Sequence, residues 1–113
     1  MSRRLLFLGV DGGGTRCRAR LADLEGHICG EGSAGPANIR LGLKKSFAAV
    51  VEASDQCLEV AKLGKEDVDI IACLALAGAS EPADLASALS YQLPFYRVIF
   101  TTDAGALFDG RLK

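Results

Sequence analysis

The sequence shows no excess of charge of either sign. Among its 113 residues, 13 lysines and arginines stand against 14 aspartates and glutamates, for a formal net charge of −1, and half of the residues are hydrophobic. Such a composition is not that of a disordered chain, and it offers no strongly basic surface for a nucleic acid. The length limits the chain to one domain, which is long enough to bury a core.

Long apolar runs and paired cysteine motifs are also missing. A membrane-spanning helix needs about 20 apolar residues, and no stretch approaches that length. The apolar run near the N-terminus ends at Asp11 and no cleavage-like site follows, which argues against a signal peptide. No C-x-x-C spacing occurs, so buried reduced thiols in a cytoplasmic protein explain the cysteines better than disulfides or metal ligands do. The four cysteines are Cys17, Cys29, Cys57 and Cys73.

Basic residues form one stripe, at Arg16, Arg18 and Arg20. They lie on one face of a predicted strand without interleaved aromatic residues. A solvated face, or one covered by a segment absent from this chain, explains them better than a nucleic-acid site. The single histidine, His27, stands beside a turn and is interpreted as a surface residue.

The most informative segment, residues 8–16, reads LGVDGGGTR. Asp11 ends an apolar strand, where a carboxylate is costly unless a metal, a hydrogen bond or solvent compensates it. Three glycines, Gly12 to Gly14, permit positive φ angles and bring backbone N–H groups close to a ligand, and Thr15 adds a hydroxyl donor. We interpret this glycine loop (residues 11–16) as a phosphate site with a carboxylate placed for Mg²⁺. A glycine-rich hairpin turn with a solvated Asp11 remains the alternative.

The residues after the glycine loop exclude the two common nucleotide-binding folds. The Rossmann pattern needs a third glycine where Cys17 stands, and the P-loop pattern needs a Gly-Lys-Ser/Thr ending that is absent. Residues 16–22 instead alternate in the manner of a strand, and residues 27–32 run back after a turn that places Gly26 in a left-handed position. Because residues 5–10 are continuously apolar, we expect a central strand covered on both faces there.

Helical spacing of apolar residues begins at Leu43 and predicts a helix to about residue 63, with Gly64 as its stop. A second helix is predicted from a Ser80 cap and Pro82 toward Tyr91. The two remaining strands are predicted at residues 68–76 and 97–101. The order βββαβαβ predicts an α/β protein with one mixed five-stranded sheet and flanking helices.

This topology predicts that the ends of the first, fourth and fifth strands lie at one edge of the sheet. Ligands of open α/β sheets bind at the carboxyl ends of such strands. Asp11, Gly78 and Asp103 all stand at those ends, although far apart in the sequence. We therefore expect one cleft at this edge.

Four motifs in order along the chain resemble the family of N-acetylglucosamine kinases and BadF/BadG/BcrA/BcrD-type ATPases, within the actin-like ATPase and sugar-kinase superfamily. They are GVDGGGTR at residues 9–16, GPAN at 35–38, ALAGA at 75–79 and TTDA at 101–104. The resemblance covers the whole chain. It implies a ribonuclease H-like (actin-like) lobe and ATP-dependent phosphorylation of an amino sugar, N-acetylglucosamine or glucosamine.

The resemblance also implies roles for residues. Asp103 matches the catalytic base, which accepts the proton of the attacking sugar hydroxyl, although a helix cap would explain a carboxylate there too. Asn38 matches a sugar-binding asparagine, or is an asparagine held in a turn. Gly78 and Ala79 would allow close approach of the backbone to the sugar, or form an ordinary turn. The glycine loop, Asp11 to Arg16, would bind ATP, with Asp11 on Mg²⁺ directly or through water.

Kinases of this superfamily have two lobes with the nucleotide between them, and residues 1–113 match the first lobe alone. By itself the chain is therefore expected to bind ATP weakly and to be inactive. Apolar surface that the absent lobe would cover favours self-association of this chain. Separately, we expect a homodimer of the full-length protein. Two alternatives remain: an ATPase that activates an acyl-CoA reductase or dehydratase, and a non-catalytic ATP-binding regulator. The activators hold an iron–sulfur cluster through cysteines, whereas these four have no suggestive spacing.

Overall fold

The computed structural model describes residues 3–13, 15–38, 42–76 and 92–101, which form one mixed sheet with a helix packed against it. The strands are β1 (Arg4–Gly12), β2 (Cys17–Ala22), β3 (Ile28–Ala34), β4 (Val68–Leu76) and β5 (Arg97–Phe100), and helix α1 (Leu43–Ala61) follows β3. A short 3-10 helix, Lys65–Asp67, leads into β4. The second predicted helix, residues 80–91, lies outside the described residues.

The strands lie in the order β3-β2-β1-β4-β5. β1 pairs with β2 and β2 with β3 in antiparallel fashion, whereas β1 with β4 and β4 with β5 are parallel. The predicted sheet, with three antiparallel strands extended by two parallel ones, is thereby confirmed. At its carboxyl edge Gly12 lies opposite Leu76, and Leu74 lies opposite Phe100. The parallel strands therefore end together at one edge.

Strand β1 lies at the centre of the sheet, but its two faces are not buried alike. Leu6, Leu8 and Val10 are fully buried in the core that α1 covers. Leu5 and Phe7 alternate with them onto the other face, where they are only half-buried. The expectation of a strand covered on both faces is therefore correct for the α1 side and only partly correct for the other.

Helix α1 packs closely on β3 because two glycines leave room for it. A Cβ at Gly30 would meet the carbonyl group of Cys57, and one at Gly32 would meet that of Ala53. Toward the β5 edge of the sheet, the ring of Phe47 on α1 lies 6.3 Å from that of Phe100. No helix of the described part of the chain is both long and apolar enough to cross a membrane.

The end of α1 differs from the prediction that Gly64 stops it. The helix ends at Ala61, and Lys62 takes the left-handed conformation, with φ 60° and ψ 41°. The N–H groups of Lys62 and Leu63 donate to the carbonyls of Glu59 and Leu58 at 3.1 and 3.0 Å, which satisfies two otherwise open carbonyls. The prediction failed because a lysine occupies the position where glycine is usual.

The turn between β2 and β3 has the predicted form. Gly26 has φ 89°, and Oδ1 of Asp23 accepts the N–H groups of Glu25 and His27, each at 2.9 Å. The bond from the His27 N–H is the largest cause of a lowered pKa for the Asp23 carboxyl. His27 is exposed, as expected, with Nδ1 3.3 Å from Oδ2 of Asp23. These side chains hold the turn.

Candidate functional site

Asp11 stands one residue before the end of β1, at the carboxyl edge of the sheet. Its Cα partners are Arg18 on β2 and Ala75 on β4. The residue is half-buried, so its carboxylate is near the surface but not fully solvated. A half-buried acid at a strand end suits a cation or a hydrogen-bond donor.

The glycine loop connects β1 and β2 as a tight hairpin, as the sequence predicts. The N–H of Gly13 donates to the carbonyl of Arg16 at 2.9 Å, directly beyond the last strand pair, Gly12 and Cys17. This bond uses the Gly13 amide, so Gly13 does not offer its N–H to a ligand as we expected. Thr15 and Arg16 are exposed, and within the described residues their N–H groups make no hydrogen bond. Gly14 lies outside the described residues.

Glycine is required at position 12 for space rather than for a positive φ. From the sequence we explain the glycines of this loop by their freedom to adopt positive φ angles, but neither Gly12 nor Gly13 has a positive φ angle. A Cβ at Gly12 would lie 2.6 Å from Cδ2 of Leu76 and 2.9 Å from Cβ of Ala37. The absent side chain lets the glycine loop pack between the end of β4 and the segment that precedes Asn38.

Asn38 is attached to the glycine loop through its neighbour. In the Asn38 loop (residues 35–38), Ala37 is fully buried and its N–H donates to the carbonyl of Gly13 at 3.1 Å. Asn38 itself is half-buried, and its backbone carbonyl accepts the hydroxyl of Ser46 at 2.6 Å. The structure therefore brings the Asn38 loop and the glycine loop together, as a common site requires.

Sequence reasoning missed Ala37 and Ser46. Ala37 is part of the GPAN motif, but the sequence assigns it no role, because its importance depends on contact with Gly12 and Gly13. Ser46 did leave a signal, since it stands at a core position of the helical pattern, four residues before the fully buried Val50. A polar residue on an apolar helix face predicts a specific hydrogen-bond partner.

The remaining predicted site residues follow the ends of β4 and β5. The N–H of Thr101 donates to the carbonyl of Leu74 at 2.9 Å, so the chain still follows the sheet two residues before Asp103. Gly78, Ala79 and Asp103 themselves lie outside the described residues. Their roles therefore stay predictions, as do those of the residues in the glycine loop.

Of the arginine stripe, Arg16 belongs to the glycine loop, whereas Arg18 and Arg20 lie on the face of β2 opposite the core. Arg16 and Arg18 are exposed, and Nε of the half-buried Arg20 lies 2.7 Å from Oε2 of Glu31. An ion pair with partners this exposed contributes little stability. The exposure of Arg16 and Arg18 is compatible with both explanations given for the stripe, a solvated face and one covered by a segment absent from this chain.

The cysteines are all free, and three of the four are buried; Cys29 is half-buried. Burial raises the pKa of the Cys57 thiol to about 12, and it also raises the pKa values of Cys17 and Cys73. The Sγ of Cys17 donates to the carbonyl of Ala49 at 3.6 Å. Protonated thiols in the core are poor metal ligands, since a metal binds the thiolate.

A mixed sheet of this order, with an acid and a glycine hairpin at its first strand end, defines an α/β protein of the actin-like, ribonuclease H-like class. Within that class, the chain belongs to the BadF/BadG/BcrA/BcrD ATPase family, whose profile matches residues 8–110.

Relatives with sequence similarity are sugar kinases by name. The chain is 37% identical over 108 residues to the glucosamine kinase GspK of Vibrio cholerae, covering 94% of this chain and 37% of that protein. In structure it resembles a protein of Chromobacterium violaceum assigned as an N-acetylglucosamine kinase, with a TM-score of 0.77 and 27% identity over 91% of this chain and 36% of the other. The chain thus spans little more than a third of either relative.

A more distant structural match is component A of the (R)-2-hydroxyglutaryl-CoA dehydratase of Acidaminococcus fermentans. It is 16% identical, with a TM-score of 0.43, over 85% of this chain and 30% of that one. A similarity this low says nothing about function.

Proposed function

We propose that this chain forms the first of two lobes of a kinase that transfers the γ-phosphoryl group of ATP to an amino sugar, glucosamine or N-acetylglucosamine. The observation that carries the proposal is the 37% identity to a glucosamine kinase over 94% of the chain. The attachment of the Asn38 loop to the glycine loop supports it, because a kinase must hold acceptor and phosphate side by side.

In this proposal the glycine loop holds the phosphates of ATP. The Thr15 hydroxyl and the N–H groups of Thr15 and Arg16 donate to phosphate oxygens, and the Arg16 guanidinium adds positive charge. The half-buried Asp11 carboxylate is an oxygen ligand of the type Mg²⁺ prefers, directly or through water. A magnesium ion held there would supply charge compensation for the phosphates.

The acceptor side of the site is formed by Asn38, Gly78, Ala79 and Asp103. The Asn38 amide, with two donors and one acceptor, binds sugar hydroxyls or an acetamido group. Gly78 and Ala79 let the backbone approach the sugar. Asp103 accepts the proton of the sugar hydroxyl as its oxygen bonds to the γ-phosphorus, the bond from that phosphorus to the bridging oxygen breaks, and ADP leaves.

A substrate screen tests this proposal. ADP release by the full-length protein would be followed in a coupled assay with hexoses, hexosamines and N-acetylhexosamines. We expect stimulation by glucosamine or N-acetylglucosamine. ADP release that no sugar stimulates would contradict the kinase and favour the activator ATPase. We also expect the full-length protein to be a homodimer in the cytoplasm. Light scattering would measure the mass of the dimer.

The role of Asp103 has its own test in the same assay. Asp103→Asn keeps the size and polarity of the side chain but removes the proton acceptor. General-base catalysis typically contributes about 10²- to 10⁴-fold, so we expect kcat to fall within that range. Calorimetry should show nucleotide binding largely retained. Near-normal turnover of the variant would show that Asp103 is not the base.

A further inference from the structure

Helix α1 carries two buried serines with different surroundings. Ser46 is 1% exposed, and its Oγ donates to the backbone carbonyl of Asn38 at 2.6 Å. Ser54, two turns further along the helix, is 2% exposed, and its hydroxyl makes no hydrogen bond within the described residues. One buried hydroxyl therefore ties the helix to the Asn38 loop, whereas the other does not.

Within the described residues, the backbone around Asn38 is attached on two sides, to helix α1 through Ser46 and to the sheet through Ala37. On the helix side, Ser46 fixes the carbonyl of Asn38 itself. On the sheet side, the N–H of Ala37 donates to the carbonyl of Gly13 at 3.1 Å, and Ala37 fills the space beside Gly12. The backbone that carries the Asn38 side chain is thus held between α1 and the glycine loop.

We propose that Ser46 is a positioning residue that sets the Asn38 amide relative to the glycine loop. The inference rests on the proposed sugar-kinase function. Ser46 itself is fully buried and contacts no substrate; it acts on the sugar through the backbone of Asn38. Loss of the bond would let the Asn38 loop shift while leaving the hairpin bond between Gly13 and Arg16 intact. Sugar binding should therefore weaken more than nucleotide binding.

The matched pair Ser46→Ala and Ser54→Ala tests this role in the full-length protein. Both variants lose a buried hydroxyl from the same helix, but only Ser46→Ala loses a bond to the Asn38 loop. A net hydrogen bond corresponds to about two- to tenfold in an equilibrium constant, so we expect KM for the amino sugar to rise by that factor in Ser46→Ala. KM for ATP should change less than about twofold, and Ser54→Ala should leave both KM values unchanged.

A double-variant cycle separates positioning from general destabilisation. Asn38→Ala removes the amide but keeps the carbonyl that Ser46 binds, so Ser46→Ala should add no further rise in KM for the sugar in that background. Additive effects would overturn the inference. Provided that the wild-type protein shows sugar kinase activity, two other results would overturn the inference. One is an equal rise of KM for the sugar and for ATP in Ser46→Ala, and the other is the same change of KM values in Ser46→Ala and Ser54→Ala. A wild-type protein without sugar-stimulated ADP release would instead refute the proposed function.

Discussion

Replacing Gly12 with alanine should destabilise the protein, because the new methyl group has no room. Its Cβ would lie 2.6 Å from Cδ2 of Leu76, 2.9 Å from Cβ of Ala37 and 3.2 Å from the Ala37 carbonyl oxygen. Carbon atoms in proteins make favourable contact at about 3.5–4.0 Å, so the two carbon–carbon distances are far too short and the contact with the carbonyl oxygen is tight. Leu76 can rotate its terminal methyl away. Ala37 has no rotamer to change, and its N–H is bonded to Gly13.

The expected magnitude follows from the cost of an overpacked core. One extra carbon in a well-packed site costs about 1–3 kcal/mol. We therefore expect the free energy of unfolding of Gly12→Ala to fall by about that amount, measured by urea unfolding of the purified protein with circular dichroism. The displaced Ala37 should also move the Asn38 loop away from the glycine loop.

Gly35→Ala is the matched control for this prediction. Gly35 is exposed, no atom lies within 4 Å of its ideal Cβ, and its φ is not in the left-handed range. Alanine at such a site lowers the entropy of the unfolded chain and is neutral or stabilising by up to about 1 kcal/mol. If Gly12→Ala were as stable as Gly35→Ala, the close packing of the glycine loop on Ala37 would be refuted.

Two further predictions concern the packing of α1 on the sheet. Gly30→Ala should destabilise the protein by about 3 kcal/mol or more in urea unfolding. The new Cβ would meet the backbone carbonyl of Cys57, which cannot rotate away. Unchanged stability would contradict the close approach of α1 to β3. Burial raises the pKa of the Cys57 thiol from its ordinary value of 9.0 to about 12. Between these two values the folded protein keeps the thiol proton, whereas an unfolded chain, whose thiol is exposed to water, loses it. Stability should therefore fall as pH rises from about 9 to 12, and the decline should be smaller in Cys57→Ala; equal declines would refute the assignment.

Much of the fold could be predicted from local patterns. The strand at residues 68–76 was predicted with the bounds it has as β4, and the first residue of α1 was predicted correctly at Leu43. Periodicities of 2 and 3.6 depend only on neighbouring residues, so they can be read without tertiary structure. The hairpin geometry of the glycine loop was also predictable, because an alternating segment follows it directly. The family resemblance came instead from the four motifs at residues 9–16, 35–38, 75–79 and 101–104.

Contacts between distant segments could not be predicted in this way. Two details departed from expectation: α1 ends at Ala61 with Lys62 in the left-handed conformation, and the Gly13 amide is used within the hairpin. Glycine at position 12 was expected for its backbone conformation, but the structure requires it because there is no space for a side chain beside Leu76 and Ala37. The requirement at Gly12 depends on residues that meet across the fold, whereas the details at Lys62 and Gly13 depend on the conformation of neighbouring residues.

The sequence by itself determined the five strands, helix α1, their order and the family, because these follow from local hydrophobic spacing and from motifs; the helix expected at residues 80–91 stays a prediction. Only the tertiary structure decided how the site is held together. Ala37 and Ser46 matter through partners at Gly13 and Asn38, and no local pattern specifies the Ala37–Gly13 pair. A hydrogen bond between two loops depends on distances that arise only when the sheet and helix pack.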